Sequence, residues 1–219
     1  MQDNPMVPSS NEPVSFEEVE ARFEYYIGLL SKFSRTVQAY VDSKGPFLST
    51  KEDIARSVLQ LHVLTTYITL RLEQIPPSRR PGWEHCMPQV KEMIMLGEKI
   101  ISFMSSGSDR STSFCLDMGY VIPLFSLASQ CQDYALRRRG IALLRSTSRQ
   151  EGLWNSGIAA NAAERIMEIQ EEDVKNMGFI DGPKWSSIRP LFELDKSGGR
   201  LRYRRPGHAV EIVEDIFAW

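Results

Sequence analysis

Apolar residues recur at intervals of three and four through most of the first 178 positions, which is the spacing of one face of an α-helix. Ser15 with Glu18 and Ser49 with Glu52 fit capping boxes at the start of two such stretches. These stretches end near the prolines at positions 46 and 76–77, because proline disfavours helical geometry in the residue before it. The pattern therefore predicts helices over about 16–42, from Ser49 to about 72, and over 87–105.

A fourth helix is expected over about 113–132, with a kink or a split near Val121 and Ile122, since Pro123 lacks a backbone donor. Residues 134–172 then predict a helical hairpin. In its first arm the apolar stripe contains Ile141 and Leu144, and four arginines are expected to lie off it: Arg137, Arg138, Arg139 and Arg145. Ser148 followed by Glu151 fits a capping box for the second arm, where Trp154 is expected to anchor the core.

These elements predict an all-α fold of stacked helical hairpins, forming a bundle or a short solenoid, with a small irregular C-terminal arm. Three segments are expected: a disordered lead at 1–14, which is rich in proline, a helical domain at 15–178, and an arm at 179–219 that packs on the helical body. The arm is expected to contain a short strand or hairpin around Leu201 and Tyr203, and a final amphipathic turn over 209–219.

Composition narrows the class of protein. The formal net charge is −2, whereas a domain that binds nucleic acid by itself usually carries a strong basic excess, so direct DNA binding is not expected. The three cysteines lie far apart, at Cys86, Cys115 and Cys131, which fits a reducing compartment. Because no apolar run is long enough to span a bilayer, the prediction is a nuclear or cytoplasmic protein without a membrane partner.

The phrase RRRGIALLRSTSRQEGLWNSGIAANAAERIMEIQE, which begins at Arg137, closely resembles a segment near the C-terminus of fungal binuclear zinc-cluster transcription factors. Its most specific residues are Arg137, Arg138, Arg139, Glu151, Gly152, Leu153 and Trp154. The resemblance covers about residues 15–219, roughly the second half of that family's regulatory region. It implies a nuclear regulator, often of a gene cluster for a secondary metabolite. Members that bind DNA use six clustered cysteines and two zinc ions, so three scattered cysteines imply no zinc cluster here.

Candidate chemistry is sparse. His85 and Cys86 are adjacent, which is poor geometry for chelating one ion, and no metal site is expected. No glycine-rich phosphate loop is present, and no cofactor is expected. No motif marks a nucleophile, and His62 fits a hydrogen-bonded core histidine. The residues that a pocket could use are Asp117, Tyr120 and Glu151.

Three functional hypotheses follow. The favoured one is a regulator-type protein without its own DNA-binding module, which acts by pairing with a DNA-bound relative, and which docks on a protein partner or forms a homodimer through an exposed apolar face. The alternative is a repurposed helical pocket protein, acting in natural-product biosynthesis as a cofactor-independent enzyme or as a binder of a small apolar metabolite. The third is a fragment without independent function.

Overall fold

The computed structural model describes residues 15–75, 82–106, 113–115, 119–177, 189–192, 198–203 and 211–217. Within them lie six helices: α1 Phe16–Lys44, α2 Thr50–Glu73, α3 Met87–Ser105, α4 Val121–Gln130, α5 Tyr134–Arg145 and α6 Ser156–Met177. The predicted fold class, helical hairpins with a small C-terminal arm, is confirmed. The lead expected at 1–14 lies outside the described residues.

Helices α1 and α2 form an antiparallel hairpin whose ends follow from the sequence. In both helices the N-cap serine accepts from the backbone of a glutamate three residues on, and that glutamate accepts in return from the serine backbone. A short 3-10 helix, Gly45–Phe47, connects the two helices. The Tyr40 hydroxyl donates to Glu52 over 2.8 Å at one end of the hairpin, and Arg71 pairs with Glu24 over 2.9 Å at the other.

Helix α4 lies within the core and packs against α2, α3, α5 and α6. Its residues are apolar on most sides, which is the pattern of a buried helix. The helix expected over 113–132 forms only in the second part of that range, because Ser113–Cys115 forms strand β1 and the helix begins at Val121. Pro123 therefore lies in the first turn, where its absent N–H would have no helical acceptor.

Between α5 and α6 the chain forms two short strands, β2 Arg149–Glu151 and β3 Trp154–Asn155. Strand β2 pairs in parallel with β1 and antiparallel with β3. The predicted capping box of Ser148 and Glu151 is therefore wrong, because α6 begins five residues after Glu151, at Ser156. Instead, the Asn155 side chain accepts from the backbone N–H groups of Gly157 and Ile158, over 2.9 and 3.1 Å.

The C-terminal part forms a second sheet, which is antiparallel. Its strands, in spatial order, are β4 Arg189–Phe192, β5 Gly198–Tyr203 and β6 Ile212–Phe217. The strand expected around Leu201 and Tyr203 is confirmed as β5, whereas the amphipathic turn expected over 209–219 is wrong, since β6 occupies most of that range. Leu201 and Tyr203 are buried and join the hydrophobic core of the helices. Arg165 on α6 holds Glu214 on β6 with two hydrogen bonds of 2.8 and 3.1 Å.

Candidate functional site: the Glu151 cluster and the α1–α2 groove

The Glu151 carboxylate occupies the start of helix α4. It accepts hydrogen bonds from three consecutive backbone N–H groups, those of Gly119 at 3.0 Å, Tyr120 at 3.1 Å and Val121 at 3.1 Å. Its side chain is 1% exposed, and Arg149 donates from Nε to Oε1 over 2.6 Å. A carboxylate at this place satisfies N–H groups that have no acceptor within the helix and interacts favourably with the positive end of the helix dipole.

Further contacts fix the two residues that precede α4, Gly119 and Tyr120. A Cβ on Gly119 would overlap the Glu151 carboxylate, so only glycine permits this contact. The Gly119 carbonyl lies 2.6 Å from His62 Nε2 on α2, which confirms the expectation of a hydrogen-bonded histidine. The Arg149 guanidinium lies 5.3 Å from the ring centroid of Tyr120, at cation–π distance. Burial raises the pKa of the Tyr120 hydroxyl, so it stays protonated.

Two of the three pocket residues suggested by the sequence, Tyr120 and Glu151, are thus brought into contact, through the Tyr120 backbone N–H. Asp117, the third, lies outside the described residues. The Glu151 oxygens point at backbone donors and at Arg149, and the site is buried. The arrangement therefore acts as a cap that joins β2 to α4, and Glu151 has a structural role.

The arginine run of the family motif divides into one buried and two exposed side chains. The expectation that all these arginines lie off the buried face is wrong for Arg137, which is 1% exposed and donates to the Ala128 carbonyl over 2.8 Å and to the Gln170 amide oxygen over 2.5 Å. Burial lowers the pKa of Arg137 to about 10, and the residue remains charged at neutral pH. Its contacts join α5 to α4 and α6.

The exposed arginines pair with acidic residues of neighbouring helices. Arg138 lies 3.7 Å from Glu171 on α6, and Arg139 lies 2.5 Å from Glu98 on α3. At the end of α5, Arg145 pairs with Glu164 of α6. Arg138 and Arg145 therefore pair with carboxylates of α6, and these contacts reduce the charge available to a phosphate.

The turn that follows Glu151 accounts for the rest of the motif. Gly152 has a φ of 56°, in the left-handed region that favours glycine. Leu153 is 45% exposed. Trp154 is half-buried rather than a fully buried anchor, and its ring centroid lies 5.3 Å from that of Phe125 on α4. The turn therefore places an aromatic side chain against the edge of the core.

Thiol and metal chemistry find little support in the described ranges. Cys86 and Cys131 are buried free thiols, and burial raises the pKa of both, whereas a nucleophilic cysteine needs a lowered pKa. Over these same ranges no three histidine, cysteine or acidic side chains gather in a way that could hold a metal ion.

A surface groove with a volume of about 430 Å³ lies between α1 and α2. It is lined almost entirely by apolar atoms, from Tyr26, Leu29, Leu30, Phe33, Thr66 and Leu70. The groove offers shape and apolar surface, and its lining residues include no carboxylate, amine, imidazole or thiol. The sequence contained a signal for it, since apolar residues on α1 cover more than the one face that packing on α2 requires.

The geometry defines a mainly helical domain, with one buried carboxylate cap and one open apolar groove. The comparison with known proteins then gives a partial relative. Over 115 residues the chain is 27% identical to the Aspercryptin biosynthesis cluster-specific transcription regulator atnN of Emericella nidulans. The aligned part is 48% of this chain and 18% of the relative, so the chain spans less than a fifth of that protein's length. This similarity relates the chain to a fungal transcription regulator.

The other comparisons add no family or fold assignment. No protein-family model matches the sequence, and no solved structure matches it. Among the helices in the described ranges, none is long and apolar enough to cross a membrane.

Proposed function

We propose that this chain is a regulatory domain of the kind found in fungal zinc-cluster transcription factors, and that it controls a gene cluster for a secondary metabolite. The observation that carries the proposal is the similarity to a cluster-specific transcription regulator over 115 residues. By the resemblance of residues 137–171, the chain corresponds to the C-terminal half of the regulatory region. A regulator of this kind acts in the nucleus.

The positions of the motif residues support a shared fold. Arg137 and Glu151 are charged residues at core positions, and each is held by several hydrogen bonds from different elements. A buried charge of this kind is tolerated only when its partners are in place, so a sequence that shares the motif needs the same surrounding elements. The shared sequence phrase therefore indicates a shared arrangement of helices, which the proposed relationship to these regulators requires.

The charge distribution supports action through protein contacts rather than through DNA. The formal net charge of the 219 residues is −2, and the exposed arginines of α5 are paired with glutamates. The three cysteines are too few for a six-cysteine zinc cluster within these residues. We therefore propose that the domain docks on a protein partner, and that DNA is contacted by a zinc-cluster module outside these 219 residues or in a partner.

The test is to delete the gene in its host and to record transcripts of the neighbouring genes together with the metabolite profile. The proposal requires that neighbouring transcripts fall and that their product disappears without accumulation of a precursor. Reintroducing the wild-type gene restores both. Glu164→Gln, at an exposed ion pair, serves as a variant that should also restore them. Unchanged transcripts with an accumulated intermediate would instead favour the alternative, a pocket protein that binds or converts a metabolite.

A further inference from the structure

Helix α1 carries an exposed apolar stripe along the edge of its contact with α2, where Tyr26 and Phe33 line the groove. Val19, Tyr26, Phe33 and Tyr40 follow one another at seven-residue intervals. Of these, Val19 is 37%, Phe33 43% and Tyr40 48% exposed. Leu29, close to this stripe, is 44% exposed. A seven-residue apolar repeat on an exposed helix face is the pattern by which two helices pair.

The groove lies at the middle of this helix. Helix α1 has 29 residues, from Phe16 to Lys44, so its midpoint is Leu30, and Leu30 lines the groove together with Leu29 and Phe33. On α2, Leu59 lies two helical turns from the groove residue Thr66 and is 44% exposed. The apolar surface thus extends along the hairpin on both sides of a central depression.

The charges of α1 are divided about the same midpoint. The first half, 16–29, holds four glutamates and one arginine, which is a net charge of −3. The second half, 30–44, holds two lysines, one arginine and one aspartate, which is a net charge of +2. One helix therefore carries an acidic half and a basic half on either side of an apolar centre.

We propose that two copies of this chain pair through α1, with the two helices antiparallel and a twofold axis passing through the groove at Leu29 and Leu30. This arrangement places the acidic half of each helix beside the basic half of the other. It also sets the seven-residue stripes against each other and fills each groove with Leu29 and Phe33 of the other copy. The inference goes beyond the proposed regulatory function and does not depend on it.

A second copy fits this face because the surface is complementary to itself. A twofold interface brings the same patch together from both subunits. The patch must therefore contain both partners of each contact, an acidic and a basic region as well as an apolar ridge and a groove. A helix of one charge would repel its copy, and a parallel arrangement would place acid against acid. The division of charge at the midpoint removes that repulsion only in the antiparallel arrangement.

The first measurement is the molar mass of the purified 219-residue chain by light scattering and sedimentation. We expect the mass to rise from the monomer value of 25.0 kDa toward twice that value. The transition should fall between about 1 µM and about 200 µM, as for a modest helix-pair interface. A single 25.0 kDa species across this range overturns the proposal.

The second measurement locates the interface. Leu29→Glu places two carboxylates near the twofold axis and should weaken pairing by about thirty-fold or more, as for the loss of a central anchor. Met95→Glu on α3, where Met95 is 61% exposed, is the matched control and should leave the dissociation constant unchanged. Circular dichroism verifies that both variants keep the wild-type helix content. Dimers that tolerate Leu29→Glu overturn the proposal.

The third measurement tests the antiparallel charge arrangement. Lys32→Glu with Arg35→Glu gives both halves of α1 a net negative charge, and Glu17→Lys with Glu20→Lys gives both halves a net positive charge. Each double variant alone should pair at least about tenfold more weakly than wild type at low salt, and mixing the two should restore dimers. Raising the ionic strength to about 1 M, where the screening length is about 3 Å, should remove these differences. Failure of the mixture to form heterodimers contradicts the arrangement.

Discussion

Replacing Glu151 with alanine tests the idea that one buried carboxylate joins strand β2 to helix α4. In the native chain this carboxylate accepts hydrogen bonds from three backbone N–H groups, with N–O distances of 3.0–3.1 Å. It also accepts one from Arg149 Nε over 2.6 Å. The substitution removes all four contacts at once. It leaves the three N–H groups at the start of α4 inside the protein without that acceptor.

The magnitude follows from the burial of the side chain, which is 1% exposed. A hydrogen bond to a charged group contributes about 1.5–3 kcal/mol, and breaking a buried ion pair from one side costs about 3–5 kcal/mol. Because one carboxylate makes every contact, these values do not add, and we expect Glu151→Ala to lower the free energy of unfolding by about 4 kcal/mol. Glu151→Gln retains one acceptor but brings an amide donor next to other donors, and should cost about 2 kcal/mol.

The assay is urea and thermal unfolding followed by circular dichroism. For a chain of this size about 1 kcal/mol corresponds to a shift of about 2–4 °C, so Glu151→Ala should lower Tm by about 8–16 °C. Glu164→Gln is the control, since its ion pair with Arg145 is 38% exposed on the glutamate side and should contribute less than about 1 kcal/mol. A Glu151→Ala protein within about 1 kcal/mol of wild type would refute the reasoning.

Three further predictions concern other elements. Gly152 has a φ of 56°, so Gly152→Ala should cost about 1 kcal/mol of unfolding free energy, whereas Gly28→Ala, inside α1 with no atom within 4 Å, should add about 0.5–1 kcal/mol in the same urea titration. Arg165→Gln removes the paired hydrogen bonds to Glu214 and should speed hydrogen exchange in β5 and β6 relative to α2, which mass spectrometry of peptides measures. Hydrogen bonds from Ser49 lower the pKa of Glu52 from 4.5 to about 2. The stability that Glu52 contributes is therefore complete above pH 4.5 and is lost as the pH falls toward 2, so Glu52→Gln should reduce the dependence of Tm on pH between these values.

Local sequence signals were sufficient for helices whose ends depend on neighbouring residues. The capping boxes at Ser15 and Ser49 fixed the starts of α1 and α2, because a serine and a glutamate three residues apart satisfy each other's backbone groups. The same local pattern at Ser148 predicted a helix start that does not form. There the glutamate is taken by backbone donors about 30 residues earlier in the chain, at Gly119–Val121. A pattern confined to four residues contains no information about such a partner.

The candidate site shows the same limit. The charge of Arg137 predicts a position off the buried face, although the residue lies four residues before Ile141 and seven before Leu144, and thus on their side of α5. Helical position alone gave the correct answer, and residue type gave the wrong one. The reason is that the Ala128 carbonyl and Gln170, on α4 and α6, supply acceptors inside the core. The groove depends on how α1 sits on α2, which no single-helix pattern specifies.

The buried residues of the family phrase and the exposed apolar residues of α1 lie in different parts of the fold. Arg137 and Glu151 are buried and join α4 to its neighbours, so substitution there destabilises the domain regardless of what it binds. The exposed apolar side chains of α1, including Leu29 and Phe33, take no part in those contacts and lie outside the shared phrase. Two proteins can therefore share the phrase and the helical core while differing in partner. Variants of α1 that keep the native Tm are consequently the ones that report on interaction, and variants of the buried residues Arg137 and Glu151 report on folding.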